Sequence, residues 1–300
     1  MSSSTDYPQL IHQFIADEQL PAEFEEDAIR WFLPLKDRLL NSVRSHPGNP
    51  RVIGINGAQG TGKSTLAKLL QILLSSDGLN VANLSIDDFY FSVHKRQELA
   101  DSVHPLLRTR GVPGTHDASL AINTLDTLKA LSSIETFALP HFDKAQDEPA
   151  PHDEWVSIQG PVDLIILEGW FVGAAVMESE SLCEPVNSLE TDEDRDLTWR
   201  QFVNQSLETD YQPLFSRLDE LILLQAPNFE QVYLWRSEQE RKLRDRRGDA
   251  AGIMGEQELE RFIQHFERLT RHCLATLPNR ASVVFELDSS HRISTSTLSH

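Results

Sequence analysis

Gly57-Ala58-Gln59-Gly60-Thr61-Gly62-Lys63-Ser64 is the stretch on which the fold turns. It fits G-x-x-x-x-G-K-[ST], a loop whose glycines let backbone N–H groups curl toward phosphate oxygens. In that arrangement Lys63 reaches the β- and γ-phosphates and Ser64 offers its hydroxyl to Mg²⁺. A chance match in a chain of 300 residues is on the order of one in a hundred from average residue usage. The flanks support the motif. Arg51-Val-Ile-Gly-Ile-Asn56 reads as a buried strand, and Lys63 to Ser76 carries Leu66, Leu69, Leu70, Leu73 and Leu74 at helical spacing. Strand, glycine loop, helix is the context the motif requires, so residues Gly57 through Thr65 are expected to hold ATP with Mg²⁺.

Working outward, the formal charge of −19 argues against a general nucleic-acid or anionic-membrane binder, because a phosphate surface needs a basic face. An acidic protein that handles an anionic ligand must gather its cations locally, which makes clustered Arg and Lys informative. Cys183 and Cys273 alone support neither a disulfide framework nor a zinc site, and a reducing cytoplasm is expected. Met1-Ser-Ser-Ser-Thr-Asp6 lacks the features of a secretory signal. The most apolar stretch, 162–177, contains Glu168 and is too short to cross a bilayer.

The elements alternate. Residues 1–49 are read as a helical N-terminal extension and 50–288 as one domain with strands at 51–56, 81–86, 135–139, 162–167, 221–224 and 282–287. Residues 91–117 read as a long polar loop, 178–196 as an acidic, solvated insert, and 289–300 as a flexible tail. Asn228 caps a helix running to about Arg244, and 256–277 is strongly amphipathic. The pattern implies an α/β three-layer sandwich: a mostly parallel sheet, helices on both faces, N-terminal helices and a helical lid. In such sheets ligands sit beyond the carboxyl ends of the strands. The polar residues that follow the strands, namely the glycine loop, Asp87-Asp88, His141 with Asp143, and Glu168, should therefore converge.

Each candidate has a plainer reading beside it. Asp87 could take a hydroxyl proton or hold Mg²⁺ through water, and an Asp pair after a strand also caps helices and shapes turns. Beside this glycine loop the catalytic reading is preferred, with Asp87 ahead of Asp88. Glu168 ends the VDLIIL run and stands where a carboxylate would fix Mg²⁺ or its waters. The region 236–255 carries Arg236, Arg241, Lys242, Arg244, Arg246 and Arg247. It reads as a lid closing cations over a transferring phosphoryl group, or as a solvated helix face. The run Arg108 to Asp117, with Arg110 and His116, mixes cations and turn formers as an anion-binding loop would, and as a surface loop also does.

Taken in order, GAQGTGKST, SIDDFY, RTRGVPGTHD, LPHFDKAQDEP, ILEGWFVG and LWRSEQERKLR resemble the D-glycerate 3-kinases of the plant and yeast type. These belong to the wider P-loop group of phosphoribulokinase, uridine kinase and pantothenate kinase. The resemblance covers about residues 50–275 and implies ATP-dependent phosphorylation of D-glycerate at O3. It implies that Asp87 activates the hydroxyl and that Glu168, with Ser64, belongs to the magnesium site. Asp88, Tyr90, Arg110, His116, Asp117, His141 and Asp143 would be substrate residues, and Arg241 and Arg244 would act with Lys63 on the phosphoryl group. The partner is then a small molecule, with no nucleic acid or membrane. Other acceptors, such as pantothenate, a nucleoside or a sugar phosphate, stay open, as does an ATP-binding regulator with no small acceptor.

Overall fold

The structure, a computed structural model, describes residues 6–247 and 255–298, with the side chains of 242–247 and 256 outside the description. Its strands are β1 (Arg51–Gly57), β2 (Val81–Ser85), β3 (Thr136–Ala138), β4 (Phe142–Asp143), β5 (Glu148–Pro149), β6 (Ser157–Gln159), β7 (Leu164–Gly169), β8 (Glu220–Gln225), β9 (Val283–Leu287) and β10 (Ile293–Ser296). Its α-helices are α1 (Tyr7–Asp17), α2 (Phe24–Asp27), α3 (Leu33–Arg44), α4 (Lys63–Ser76), α5 (Val93–Ser102), α6 (Ala118–Ala130), α7 (Ser188–Glu193), α8 (Thr198–Ser206), α9 (Gln212–Phe215), α10 (Phe229–Arg247) and α11 (Glu256–Thr276).

The main sheet runs β10-β9-β8-β1-β7-β2. All its pairs are parallel except β9 with β10. A parallel sheet covered on both faces needs unbroken apolar strands rather than alternating ones. The sequence supplies them: β7 is buried along its whole length, and β1 from Val52 onward. Side chains of successive residues part to opposite faces. Ile53, Ile55, Leu164 and Ile166 pack with α4, while Val52, Ile165 and Leu167 pack with α6. The α/β sandwich read from the sequence is thus observed. Register places the site: Ile55 of β1 and Ser85 of β2 both lie level with Glu168 of β7. The carboxyl ends of three adjacent strands stop at one height.

Several segments differ from their sequence readings. Thr136–Ala138 is a strand, but it pairs antiparallel with β6 outside the main sheet. Its exposed and half-exposed side chains could not be buried on two faces. The run 91–117, read as irregular, contains α5, capped by the Ser92 hydroxyl on the Lys95 N–H. The stretch after 289 adds β10 to the sheet edge, with Ile293 and Leu298 buried. The N-terminal helices share one buried cluster with β1 and α4, through Ile11, Phe14, Trp31, Phe32, Leu35 and Leu39.

The largest difference is the acidic stretch 178–196, which is packed down rather than solvated. Leu182 and Leu189 are buried, and so are Glu190 and Asp194. Arg200 of α8 donates to Asp194 at 2.7 Å, and Arg268 of α11 donates to Glu190 at 2.6 Å. Buried charges persist only when paired in this way. Arg200→Met should therefore strand the Asp194 carboxylate and cost about 3–5 kcal/mol in urea unfolding. Arg261→Met, which breaks the exposed pair with Glu193, should cost less than about 1 kcal/mol.

Candidate active site

The P-loop curls between β1 and α4. Gly60 and Gly62 adopt φ of +84° and +88°, a region that side chains with a Cβ rarely enter. Gly62 is the N-terminal cap of α4, and its carbonyl accepts from the Leu66 N–H at 2.9 Å. The open N–H groups of the first helical turn, together with the helix dipole, make a ready anion cradle. Thr61 is buried and donates to the Ala58 carbonyl at 2.8 Å, which stiffens the loop. Gln59, Lys63 and Thr65 are half-buried, and Ser64 is exposed. Asn56, at the end of β1, donates to the Val172 carbonyl at 2.8 Å and so ties the loop to the segment after β7.

The Ser64 hydroxyl donates to Glu168 Oε1 at 2.8 Å. Glu168 is 5% exposed, and its Oε2 is buried with no hydrogen-bond partner among the described residues. A buried carboxylate oxygen without a donor is costly, and two hard oxygen donors side by side suit Mg²⁺. These residues therefore fit the metal that the P-loop implies.

Asp87 and Asp88 occupy the single 3₁₀ turn Ile86–Phe89 after β2. Asp88 closes a capping box with Ser85 and also accepts from His141 Nδ1 at 3.1 Å and the Phe142 N–H at 3.3 Å. Burial raises its carboxyl above the usual value. Asp87 points elsewhere. Its Oδ1 accepts from the Tyr90 hydroxyl at 2.8 Å and its Oδ2 from Lys144 Nζ at 2.7 Å. Burial alone would raise Asp87, but the charges of Lys144 and Lys63 outweigh it and hold the carboxyl below the ordinary range. Burial sends the Tyr90 phenol well upward, so it stays a donor to Asp87.

Tyr90 stacks on His116 with ring centroids 4.3 Å apart. His116 is buried, and burial lowers it to about 3, so the ring is neutral. Its Nδ1 meets the Tyr211 hydroxyl at 2.9 Å, and that oxygen also accepts the Gly114 N–H at 3.1 Å. Burial keeps the Tyr211 phenol protonated. Its proton then points at Nδ1, and the imidazole carries its own on Nε2.

The remaining sequence candidates divide. Arg110 lies 5.7 Å over the Phe142 ring and is ion-paired with Asp147. Asp117 caps α6 by accepting the Leu120 N–H at 2.8 Å. Asp143 accepts the N–H groups of Ala145 and Gln146, which shapes a turn. Arg241 is exposed on α10, and the side chain of Arg244 lies outside the described residues. The convergence expected of the strand ends holds for the P-loop, Asp87, Asp88, His141 and Glu168. Lys144, Tyr211 and Asn56 were not singled out from the sequence. Lys144 was within reach, since it stands in the LPHFDKAQDEP run. Tyr211 was not, since 97 residues separate it from Gly114.

A nucleotide cradle, a dry carboxylate at a metal-competent position and a second carboxylate clamped by lysine define a P-loop small-molecule kinase. The chain is 32% identical over 255 residues to the kinase mug58 of Schizosaccharomyces pombe, across 81% of this chain and 89% of that protein. It is 27% identical over 235 residues to the chloroplastic D-glycerate 3-kinase of Arabidopsis thaliana, across 76% of this chain and 48% of the plant protein. The D-glycerate 3-kinase structure from Cryptococcus neoformans superposes with a TM-score of 0.67, covering 98% of this chain and 99% of that one at 23% identity, which shows the shared fold. The family model of the methylmalonyl Co-A mutase-associated GTPase MeaB matches residues 34–90, the segment from α3 through the P-loop to Tyr90. The chain belongs to the family of P-loop kinases that includes mug58 and the D-glycerate 3-kinases. Among the described residues, no helix is long and apolar enough to cross a membrane.

Proposed function

We propose that the protein transfers the γ-phosphoryl group of ATP to the terminal hydroxyl of D-glycerate, giving 3-phosphoglycerate and ADP in the cytoplasm. The observation that carries this reading is the placement of Asp87, anionic, clamped by Tyr90 and Lys144, and close enough to Lys63 for its charge to be felt. Phosphoryl transfer asks the protein for positioning and for charge stabilisation more than for covalent chemistry. The P-loop amides and Lys63 bind the phosphates. Asp87 orients the acceptor hydroxyl and takes its proton as the new O–P bond forms and the bond to the leaving ADP oxygen breaks. Ser64 and Glu168 would hold Mg²⁺, which when bound neutralises charge on the β- and γ-phosphate oxygens. Arg241, on α10, and Arg244, whose side chain lies outside the described residues, are assigned to a lid that would bring positive charge and exclude water.

The acceptor's carboxylate calls for a cationic or hydrogen-bonding partner. Arg110 and His116 on the loop before α6, with His141 beside Asp88, are the residues chosen for it. Asp88 and Tyr90 hold this face of the site, and Asp117 and Asp143 fix the local backbone that presents it. The test is ADP release in the presence of Mg²⁺, with and without D-glycerate, followed by identification of the phosphorylated carbon. Stimulation by D-glycerate with phosphate on O3 is expected. Stimulation by pantothenate, a nucleoside or a sugar phosphate in its place would move the chain elsewhere within the P-loop kinases.

A further inference from the structure

The turn between β4 and β5 is held by more anchors than a surface turn requires. Asp143 accepts two N–H groups from within it, at 2.8 Å from Ala145 and 3.2 Å from Gln146. Asp147 closes it in the left-handed region at φ +59°. A non-glycine residue there needs outside support. Arg96, which is 2% exposed, supplies it by donating to the Asp147 carbonyl at 3.2 Å and pairing with its carboxylate at 2.8 Å. Arg96 is itself tied to the carbonyls of Phe91 and Arg108. Arg110 pairs with the same carboxylate and reaches the Lys144 carbonyl at 3.4 Å. The side chain these anchors carry is Lys144, whose ammonium meets Asp87 at 2.7 Å.

We infer that Lys144 is a positioning residue for phosphoryl transfer: its ammonium, carried by a turn that Arg96 and Arg110 hold still, fixes the Asp87 carboxylate for the incoming hydroxyl. The inference rests on the reading of Asp87 given above, but it does not depend on which acceptor is used. Two clamps are needed because a carboxylate held on one oxygen can still rotate. Tyr90 holds Oδ1 and Lys144 holds Oδ2, so the plane of the group is set. Lys144 also governs ionisation. The groups facing Asp87 are Lys144 from the turn, Lys63 from α4, and Tyr90 and His116. Lys144 faces Asp87, Glu168 and Asp88, the last already shared with His141. The Lys144 side chain is 56% exposed and Asp87 25%, and each still holds the other charged against the partial loss of water.

The test compares Lys144→Met with Lys144→Arg. In nucleotide-free, metal-free protein labelled at aspartate, the carboxyl ¹³C signal of Asp87 is followed against pH. The midpoint should rise in Lys144→Met, where burial is opposed by Lys63 with far less help, and return toward wild type in Lys144→Arg. In turnover assays Lys144→Met should lose about 100-fold in kcat, the scale of a misplaced reacting group, while the KM for ATP changes little. The arginine variant should recover a large part of the loss. An unchanged Asp87 midpoint in Lys144→Met, or a kcat within twofold of wild type, overturns the inference. The carboxyl titration uses no acceptor, so an enzyme that ignores D-glycerate would remove the assigned substrate and leave this result standing.

Discussion

Asp87→Asn should lower kcat by about 10²–10⁴-fold, the usual contribution of a positioned general base, while ATP binding stays within a few fold. The asparagine keeps the shape of the side chain, so the Tyr90 hydroxyl can still donate to its carbonyl oxygen. What disappears is the negative charge that, in the proposed mechanism, aims the acceptor hydroxyl and receives its proton. On the proposed mechanism the P-loop grips ATP, so its affinity should follow Lys63 rather than Asp87. Turnover by ADP release, paired with ATP titration, reads the two effects separately. A kcat near wild type would remove Asp87 from the reaction. The wild-type enzyme adds a pH signature. Asp87 has a depressed folded-state value, so its anionic form persists as pH falls and is lost only below the ordinary aspartate value of about 3.9. The acid limb of kcat/KM should lie in that low range, provided the fold survives there.

Lys63→Ala should abolish turnover, a loss of at least about 10³-fold. A single preorganised donor aimed at developing charge is worth about 10²–10³, and this one also secures the nucleotide. The change should leave the scaffold intact. Lys63 is the first residue of α4, and alanine is the best helix former. The Leu66, Leu69, Leu70, Leu73 and Leu74 face that seats α4 is untouched. An unaltered thermal midpoint with no measurable ADP release is the expected pair of results. Retained turnover would mean that another cation neutralises the γ-phosphate.

The parts of the fold legible in the sequence were those whose cause is local. Glycines at Gly60 and Gly62, the apolar run of β7 and the leucine face of α4 each state their own structure within a dozen residues. The rule that ligands gather beyond the carboxyl ends of strands then brought Asp87, Asp88 and Glu168 together, and the register of β1, β2 and β7 obeys it. Causes that act across the chain stayed hidden. The charge of Glu190 reads as solvated because its partner Arg268 lies 78 residues away, beyond what composition can see, whereas the partner of Asp194, Arg200, is only six residues on. The sequence puts His141 after a strand at 135–139, but that strand pairs outside the main sheet and His141 reaches Asp88 from beside the β4–β5 hairpin. Lys144 lies in the LPHFDKAQDEP run, but nothing local says that a turn lysine will face a carboxylate.

Arg292, just before β10, grips Asp27 at 2.7 Å and Glu26 at 2.8 Å, across a separation of 265 residues for the Asp27 contact. Nearby, Phe32 meets Phe285 edge-on at 5.7 Å. The consequence concerns timing during synthesis. Residues 24–32 emerge from the ribosome long before Phe285 and Arg292, so until then their apolar side chains have only early neighbours such as Phe14 to pack against. A nascent chain halted before residue 285 should accordingly be digested by protease at its early helices, and release of the completed chain should bring protection to both regions in the same step.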